Sequence, residues 1–348
     1  NWTLLYVLGG PEPVLDLYKR IWEGHLEQYT KAKAPGIEMA KDGMYYKEFV
    51  TSFDWEHTGE GLAPFHFYSL ARPYDPNYLQ RVKRFAGFYM NEDPEAPNYD
   101  PQHKIIRSLH NGSRGPKLTP ASMEDWGGLP VPGRPELLER YREASNIRGD
   151  HSLNLCAATL AFNAYALTHD RKYRDWLLEY AGAWRERVEA NGGNIPTNIG
   201  LDGTIGGEWG GKWYGGTFGW NFDPKQSGRN YFKRGPRIAF GEAFLLTRDE
   251  RFIDVLRRQM DNLYAAKKVE NGRVLLPNKH GDNGWFGYMR SWHTDLELDL
   301  YLWSVKPADR ERVAKEGWIQ FLEGNNPNYP LEALQREFER VRAKVKGL

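Results

Sequence analysis

The sequence predicts an all-α protein built from repeated helical hairpins, and three observations carry that reading. Five times a hydrophobic helical stretch runs into a tight polar turn and then into a second, amphipathic helix. The apolar residues of the second helices recur at helical spacing with charged residues between them. The turns from first to second helix are short, while the returns to the next first helix are long. A helix pair repeated in this way must bury its first helices against one another, which leaves a stack, a solenoid or a closed ring.

Taken in order, the turns are Leu8-Gly9-Gly10-Pro11, Ala71-Arg72-Pro73-Tyr74-Asp75-Pro76, Thr168-His169-Asp170-Arg171, Thr247-Arg248-Asp249-Glu250 and Val305-Lys306-Pro307-Ala308-Asp309. The helices that follow them are predicted over 14–22, 78–90, 173–188, 252–263 and 310–322. In the third pair, 153–167 is apolar on nearly all sides, as an inner helix touching neighbours all round should be. Its partner sets Tyr173, Trp176, Leu177, Tyr180 and Trp184 on one face and Arg171, Lys172, Arg174, Glu179, Arg185 and Glu186 between them. The pairs 236–246 with 252–263 and 62–70 with 78–90 repeat the pattern, so two layers of helices are expected. A last charged amphipathic helix, 331–345, has no partner after it. The chain begins at Asn1 rather than Met, and Leu4 to Leu8 read as the end of a helix. We therefore expect residues 1–348 to form a single domain of a longer polypeptide.

The bulk numbers agree with one large core. There are 348 residues, 40% of them apolar, and the net charge is +1. That balance gives no global reason to expect nucleic acid as a partner. No run of about eighteen uninterrupted apolar residues is present, so no membrane insertion is expected. Cys156 is the one cysteine and excludes an internal disulfide framework or a cysteine zinc cluster. The sequons at Asn1 and Asn111 are too short a pattern to settle a compartment.

The returns span 34–57, 91–150, 189–234 and 268–291, and all of them end at the start of an inner helix. Loops of that length in a compact protein are usually functional. Here they should gather on one rim, where helix N-termini collect partial positive charge. Trp55, Trp126, Trp209, Trp213, Trp220, Trp285 and Trp292 lie in or beside them. A flat indole covers the C–H face of a pyranose while desolvating little polar surface, so this composition suits carbohydrate. Packing down a long loop is the competing use of the same aromatics.

Several constellations on these returns carry chemistry. Asp54-Trp55-Glu56-His57-Thr58-Gly59-Glu60 either caps the second inner helix or presents Glu56 and His57 to a groove. Asp150 is a natural helix cap, and His151 and Asn154, three apart, fall on one helical face. Between Gly203 and Trp220 eight of eighteen residues are glycine, which lets the backbone approach a ligand closely while Lys212, Trp213, Tyr214 and Trp220 offer a cation, stacking faces and a phenol. Arg229 and Arg234 stand before the next inner helix. His110, Asn111 and Arg114 lie in the longest return; His280, Arg290, Trp292 and His293 precede the last inner helix. Basic groups outnumber acids on this rim, which points to carboxylates or sulfates on the ligand, with uronic acid the simplest case. No cofactor is implied. A structural calcium would have Asp93, Glu95, Asn98 and Asp100 as oxygen ligands, but EF-hand spacing is lacking and the neighbouring prolines suit a plain turn.

The hairpin repeat and the loop asymmetry over about residues 1–323 resemble the (α/α) toroid enzymes, a group of polysaccharide lyases and glycoside hydrolases. The resemblance is architectural. It implies an incomplete or full (α/α) toroid of about five or six hairpins, with substrate in a groove on the loop rim. An acidic poly- or oligosaccharide would be the partner, cleaved by a polysaccharide lyase through β-elimination. A lyase neutralises the uronate carboxylate, removes the C5 proton and protonates the leaving oxygen. By resemblance of type, Asn154, His151, Tyr214 and Arg290 could fill these roles, with Arg234 as a second cation. A hydrolase would need two carboxylates instead, with Asp54, Glu56, Asp150 and Glu208 available and Asp150 with Glu56 the leading pair. A non-catalytic glycan-binding protein would keep the aromatics and need no proton-transfer groups. A polysaccharide-degrading enzyme would be expected as a soluble, secreted or periplasmic protein.

Overall fold

The computed structural model describes residues 2–31, 65–107, 149–207, 210–214, 234–290 and 294–346. The chain divides into two compact units, Asn1–Arg290 and Ser291–Leu348. Helix dominates both.

In the first unit, α1 (Trp2–Val7) and α2 (Glu12–Lys31) form the opening hairpin. A 3-10 turn, Tyr68–Leu70, and α3 (Pro76–Gly87) form the second. The third starts with a 3-10 segment, Ser152–Ala157, that continues as α4 (Ala158–Thr168) and turns into α5 (Arg171–Ala190). The fourth is α6 (Gly235–Thr247) with α7 (Arg251–Ala265). Helix α4 packs against α3, α5 and α6, and α6 packs against α5 and α7. This is the inner and outer arrangement that the residue pattern predicts. On α5 the buried residues are Tyr173, Trp176, Leu177, Tyr180, Ala181, Trp184 and Val188, the aromatic stripe read from the sequence.

The repeat extends to atomic detail at the turns. Helices α4 and α6 each end on a residue in the left-handed region, His169 (φ 56°) and Arg248 (φ 59°). The N–H groups of these residues return to Tyr165 O at 2.8 Å and Phe244 O at 2.7 Å. Thr168 and Thr247 donate their hydroxyls to Ala164 O and Ala243 O, then accept from the amides of Asp170 and Asp249. Asp170 in turn accepts from Lys172 N, and Asp249 from Arg251 N. A threonine, a left-handed residue and an aspartate thus satisfy the last carbonyl and the first amides of the two helices.

The second unit holds α8 (Thr294–Ser304), α9 (Pro307–Val313), α10 (Gly317–Leu322) and α11 (Tyr329–Lys346). Val305 takes the left-handed position after α8 (φ 55°). The single helix predicted over 310–322 is interrupted before Gly317. A Cβ at Gly317 would lie 1.8 Å from the Tyr329 ring, so α10 starts where that ring packs over the bare backbone.

Two small antiparallel sheets depart from the all-α expectation. β1 (Tyr99–Asp100) pairs with β2 (Ile105–Ile106), and β3 (Lys268–Glu270), β4 (Arg273–Gly281) and β5 (Gly284–Arg290) form a meander. The return 268–291 is therefore folded as strand. Its first turn, Asn271-Gly272, has both residues at positive φ (52° and 73°), the conformation that a two-residue hairpin between right-twisted strands requires. Val269, Val274, Trp285, Phe286 and Tyr288 supply the β-forming side chains. No helix among the described residues is long and apolar enough to cross a membrane.

Candidate functional site

The glycine-rich segment and the β4–β5 hairpin meet, and four residues singled out from the sequence meet with them. The His280 ring lies 4.6 Å from that of Trp213 and 4.7 Å from that of Tyr214, centroid to centroid. Trp285, the cross-strand partner of His280, stands edge-on to it at 4.8 Å and 6.0 Å from Trp213. Beside the rings, Lys212 Nζ is 2.7 and 2.9 Å from the Asp282 carboxylate oxygens, and Tyr214 OH donates to Asp282 at 2.7 Å. All four rings are half-buried, and Asp282 is exposed.

Local backbone chemistry explains why Lys212, Trp213 and Tyr214 arrive there. Gly206 (φ 71°) and Gly211 (φ 82°) close a tight loop, with Gly211 N donating to Gly206 O at 2.9 Å. A Cβ at Gly206 would come within 2.5 Å of the Gly211 carbonyl carbon, so the loop requires glycine. Thr197 then binds Trp213 O through its amide and its hydroxyl, both at 2.8 Å, and Asn198 Nδ2 binds Lys212 O at 3.1 Å.

The same 197–199 stretch ties this cluster to Asp150. Ile199 exchanges both backbone hydrogen bonds with Asp150, at 2.7 and 2.8 Å. Gly149 must be glycine, since a Cβ would sit 1.9 Å from Ile199 O. Asp150 is fully buried. Its carboxylate accepts from Ile106 N (3.1 Å), His151 N (2.8 Å), Asn154 Nδ2 (2.8 Å), Tyr180 OH (3.0 Å) and Trp184 Nε1 (3.0 Å). Burial lifts this carboxyl to about 6, while the bonds from Asn154 and Trp184 hold it from rising further. Asp150 is thus an interior anchor joining β2, the 3-10 segment and α5. His151 and Asn154 are buried beside it.

The electrostatics of the aromatic cluster are uneven. The hydrogen bond to Asp282 raises the Tyr214 phenol, and the same carboxylate raises Lys212. Burial lowers His280, which favours neutral imidazole. The cluster therefore offers a proton-bearing phenol, a neutral imidazole and a cation shared with an acid.

Other predicted residues are placed elsewhere. Arg290 is exposed at the far end of β5, and strand alternation sets it on the sheet face opposite Trp285 and His280. Arg234 is exposed at the start of α6. A Cβ at the adjacent Gly235 would be 2.2 Å from Ser152 O, so that helix start abuts the 3-10 segment. Glu56, His57, His110, Asn111, Arg114, Trp220, Arg229, Trp292 and His293 lie outside the described residues. In the turn considered for calcium, Asp93 accepts from Glu95 N, Asn98 donates to Phe88 O, and Asp100 accepts from Gln102 N and the His103 ring. Among the described residues no group of three His, Cys, Asp or Glu side chains is arranged to hold a metal.

Sequence reasoning missed a second polar set on the inner helices. Glu242 on α6 accepts from Thr159 of α4 at 2.6 Å, and Asn163 of α4 reaches the His66 ring at 3.4 Å and Tyr78 OH at 3.2 Å. A lone glutamate within the apolar run 236–246 was the available signal.

Helical hairpins in two layers, with the described parts of the returns 189–234 and 268–291 folded against one another, define the class of this protein as an α-hairpin repeat, in keeping with the architectural resemblance to the (α/α) toroid enzymes. The sequence matches the family described as "Domain of unknown function (DUF8034)" over residues 1–129 and 122–274, and the chain belongs to that family. No curated protein matches it in sequence. Among solved structures it is similar to cellobiose 2-epimerase from Bacillus thermoamylovorans B4167, at 13% identity and a TM-score of 0.47, over 88% of this chain and 69% of that one. A likeness at that level carries no argument about activity.

Proposed function

We propose that the chain is a carbohydrate-active enzyme whose saccharide lies over Trp213, His280 and Trp285, and that it acts as a lyase on uronate-bearing glycan by β-elimination. The observation that carries this reading is the convergence of two returns, far apart in sequence, into one half-buried aromatic cluster edged by Lys212, Tyr214 and Asp282. Indole and imidazole faces stack on sugar C–H surfaces, and the charged edge supplies directional bonds.

Within that reading, neutral His280 removes the C5 proton and Tyr214, held protonated, delivers one to the leaving oxygen. Lys212 partly neutralises the uronate, relaying between it and Asp282. Asp150 acts through its backbone pairing with Ile199, which holds the stretch that fixes Trp213. The Asp150–Glu56 hydrolase pair has less support, because the Asp150 carboxylate already faces five donors of the chain itself.

A second reading, a glycan-binding protein without catalysis, draws on one observation: Lys212, Tyr214 and Asp282 satisfy one another. Incubation with a panel of uronate polysaccharides separates the readings. Elimination gives a product with the ultraviolet absorbance of an unsaturated uronate. New reducing ends without that absorbance mean hydrolysis, and binding without product means a binding module.

A further inference from the structure

The inner helices carry a polar seam that the aromatic cluster does not use. On α6, Ile238, Glu242 and Leu245 follow one helical face, and all three are at least partly open to solvent. Facing them from α4, Thr159 is also partly open and donates to Glu242 Oε1 at 2.6 Å. The other oxygen, Oε2, is shielded and has no hydrogen-bond partner among the described residues. One turn along α4, on the same face, Asn163 stands 3.4 Å from His66 Nδ1. Positions four apart on a helix are separated by about 6 Å along the axis, which is about the span of a sugar ring.

None of the hydrogen bonds that define this seam involves a cation. Burial carries Glu242 up to about 8, against the lowering hydrogen bond from Thr159, and carries His66 down to about 4, so at neutral pH the carboxyl holds its proton and the imidazole lacks its second one. A hydroxyl, a carboxylic acid, an amide and a neutral imidazole remain, a set of donors and acceptors with no net charge. Leaving a shielded carboxyl oxygen unpaired costs free energy that a ligand hydroxyl would recover.

We propose that Thr159, Glu242, Asn163 and His66 form a second binding site, on the inner-helix seam, for a neutral hydroxyl-rich ligand of the hexose class. The proposal stands apart from the aromatic cluster, which is read as taking acidic glycan. Among the described hydrogen-bond partners at this seam no cation stands ready to receive a uronate carboxylate, whose lost hydration they would not offset.

The test is titration of the full chain with D-glucose, D-galactose, D-mannose and D-glucuronate, followed by calorimetry and saturation-transfer NMR. At least one neutral hexose should bind in preference to D-glucuronate. Glu242→Ala and Thr159→Val should each weaken that hexose about tenfold, the loss expected for one buried hydrogen bond. Glu242→Gln, which keeps a donor and the shape, should stay within about threefold. If the alanine variant does not fold, Thr159→Val and Glu242→Gln carry the comparison. The proposal is overturned if none of the three hexoses binds, if Thr159→Val or a folded Glu242→Ala binds as the unaltered chain does, or if D-glucuronate is preferred. Uronate-polysaccharide turnover sensitive to Trp213→Ala would survive any of these results, so the two readings fail separately.

Discussion

Asp150 concentrates more of the fold than any other single side chain described. Its carboxylate joins three elements, and a neutral amide cannot accept from all five donors. Asp150→Asn should therefore lower stability by about 3 kcal/mol, against about 1 kcal/mol for Tyr180→Phe, which removes one donor, both read from urea denaturation. The sequence marked Asp150, His151 and Asn154 as chemically able, and they do cluster, but spacing cannot tell a carboxylate that faces a groove from one that anchors an interior. That difference depends on Tyr180 and Trp184 of α5, which look like plain core in the helical pattern. Glu242 and His66 give opposite pH signatures. The folded Glu242 carboxyl is raised from 4.5 to about 8, so its contribution is present at low pH and lost as pH rises through that window. His66 is lowered from 6.5 to about 4, so stability is lost as pH falls between those values, where the unfolded chain binds the extra proton. Melting curves should show Glu242→Gln gaining on the unaltered chain as pH rises from 4.5 to 8. A difference independent of pH would contradict an uncharged Glu242.

At the scale of elements, close backbone contact separates glycines that are required from one that is merely tolerated. A Cβ at Gly149 would fall 1.9 Å from Ile199 O, whereas one at Gly182, inside α5, would meet nothing within 4 Å. Gly149→Ala should prevent the 150–199 pairing and cost several kcal/mol, more than about 3. Gly182→Ala should stabilise by about 0.5–1 kcal/mol, the helix-propensity difference. Chemical denaturation of the two variants checks both signs. The hairpins were legible because helix period and turn chemistry agree: Thr168-His169-Asp170 and Thr247-Arg248-Asp249 occupy equivalent places and make equivalent bonds. Helical spacing leaves the meander 268–290 as a plain return, although Asn271-Gly272 between β-forming residues announces a hairpin. The break before Gly317 could not be foreseen, since it depends on the Tyr329 ring arriving from twelve residues later in the chain.

For the molecule as a whole, the decisive event is that segments distant in sequence converge. Lys212, Trp213, Tyr214 and His280 were picked for their chemistry and come together, because Thr197 and Asn198 hold one loop and the β4–β5 register holds the other. Trp285 reads in the sequence only as one of the loop tryptophans; its pairing with His280 follows from strand register, and that of Asp282 with Lys212 from the docking of the two loops, neither of which composition encodes. Arg290 was grouped with them by proximity in sequence, and the two-residue period of a strand sends it to the other face. The most direct test of the carbohydrate reading compares the unaltered chain with Trp213→Ala and Trp285→Ala, after confirming equal melting temperatures, on the uronate polysaccharide it degrades best. Stacking on one aromatic residue is expected to contribute about 1–2 kcal/mol, so each variant should form unsaturated product about tenfold more slowly at low substrate. Equal rates in all three proteins, or no unsaturated product from any polysaccharide, would contradict it.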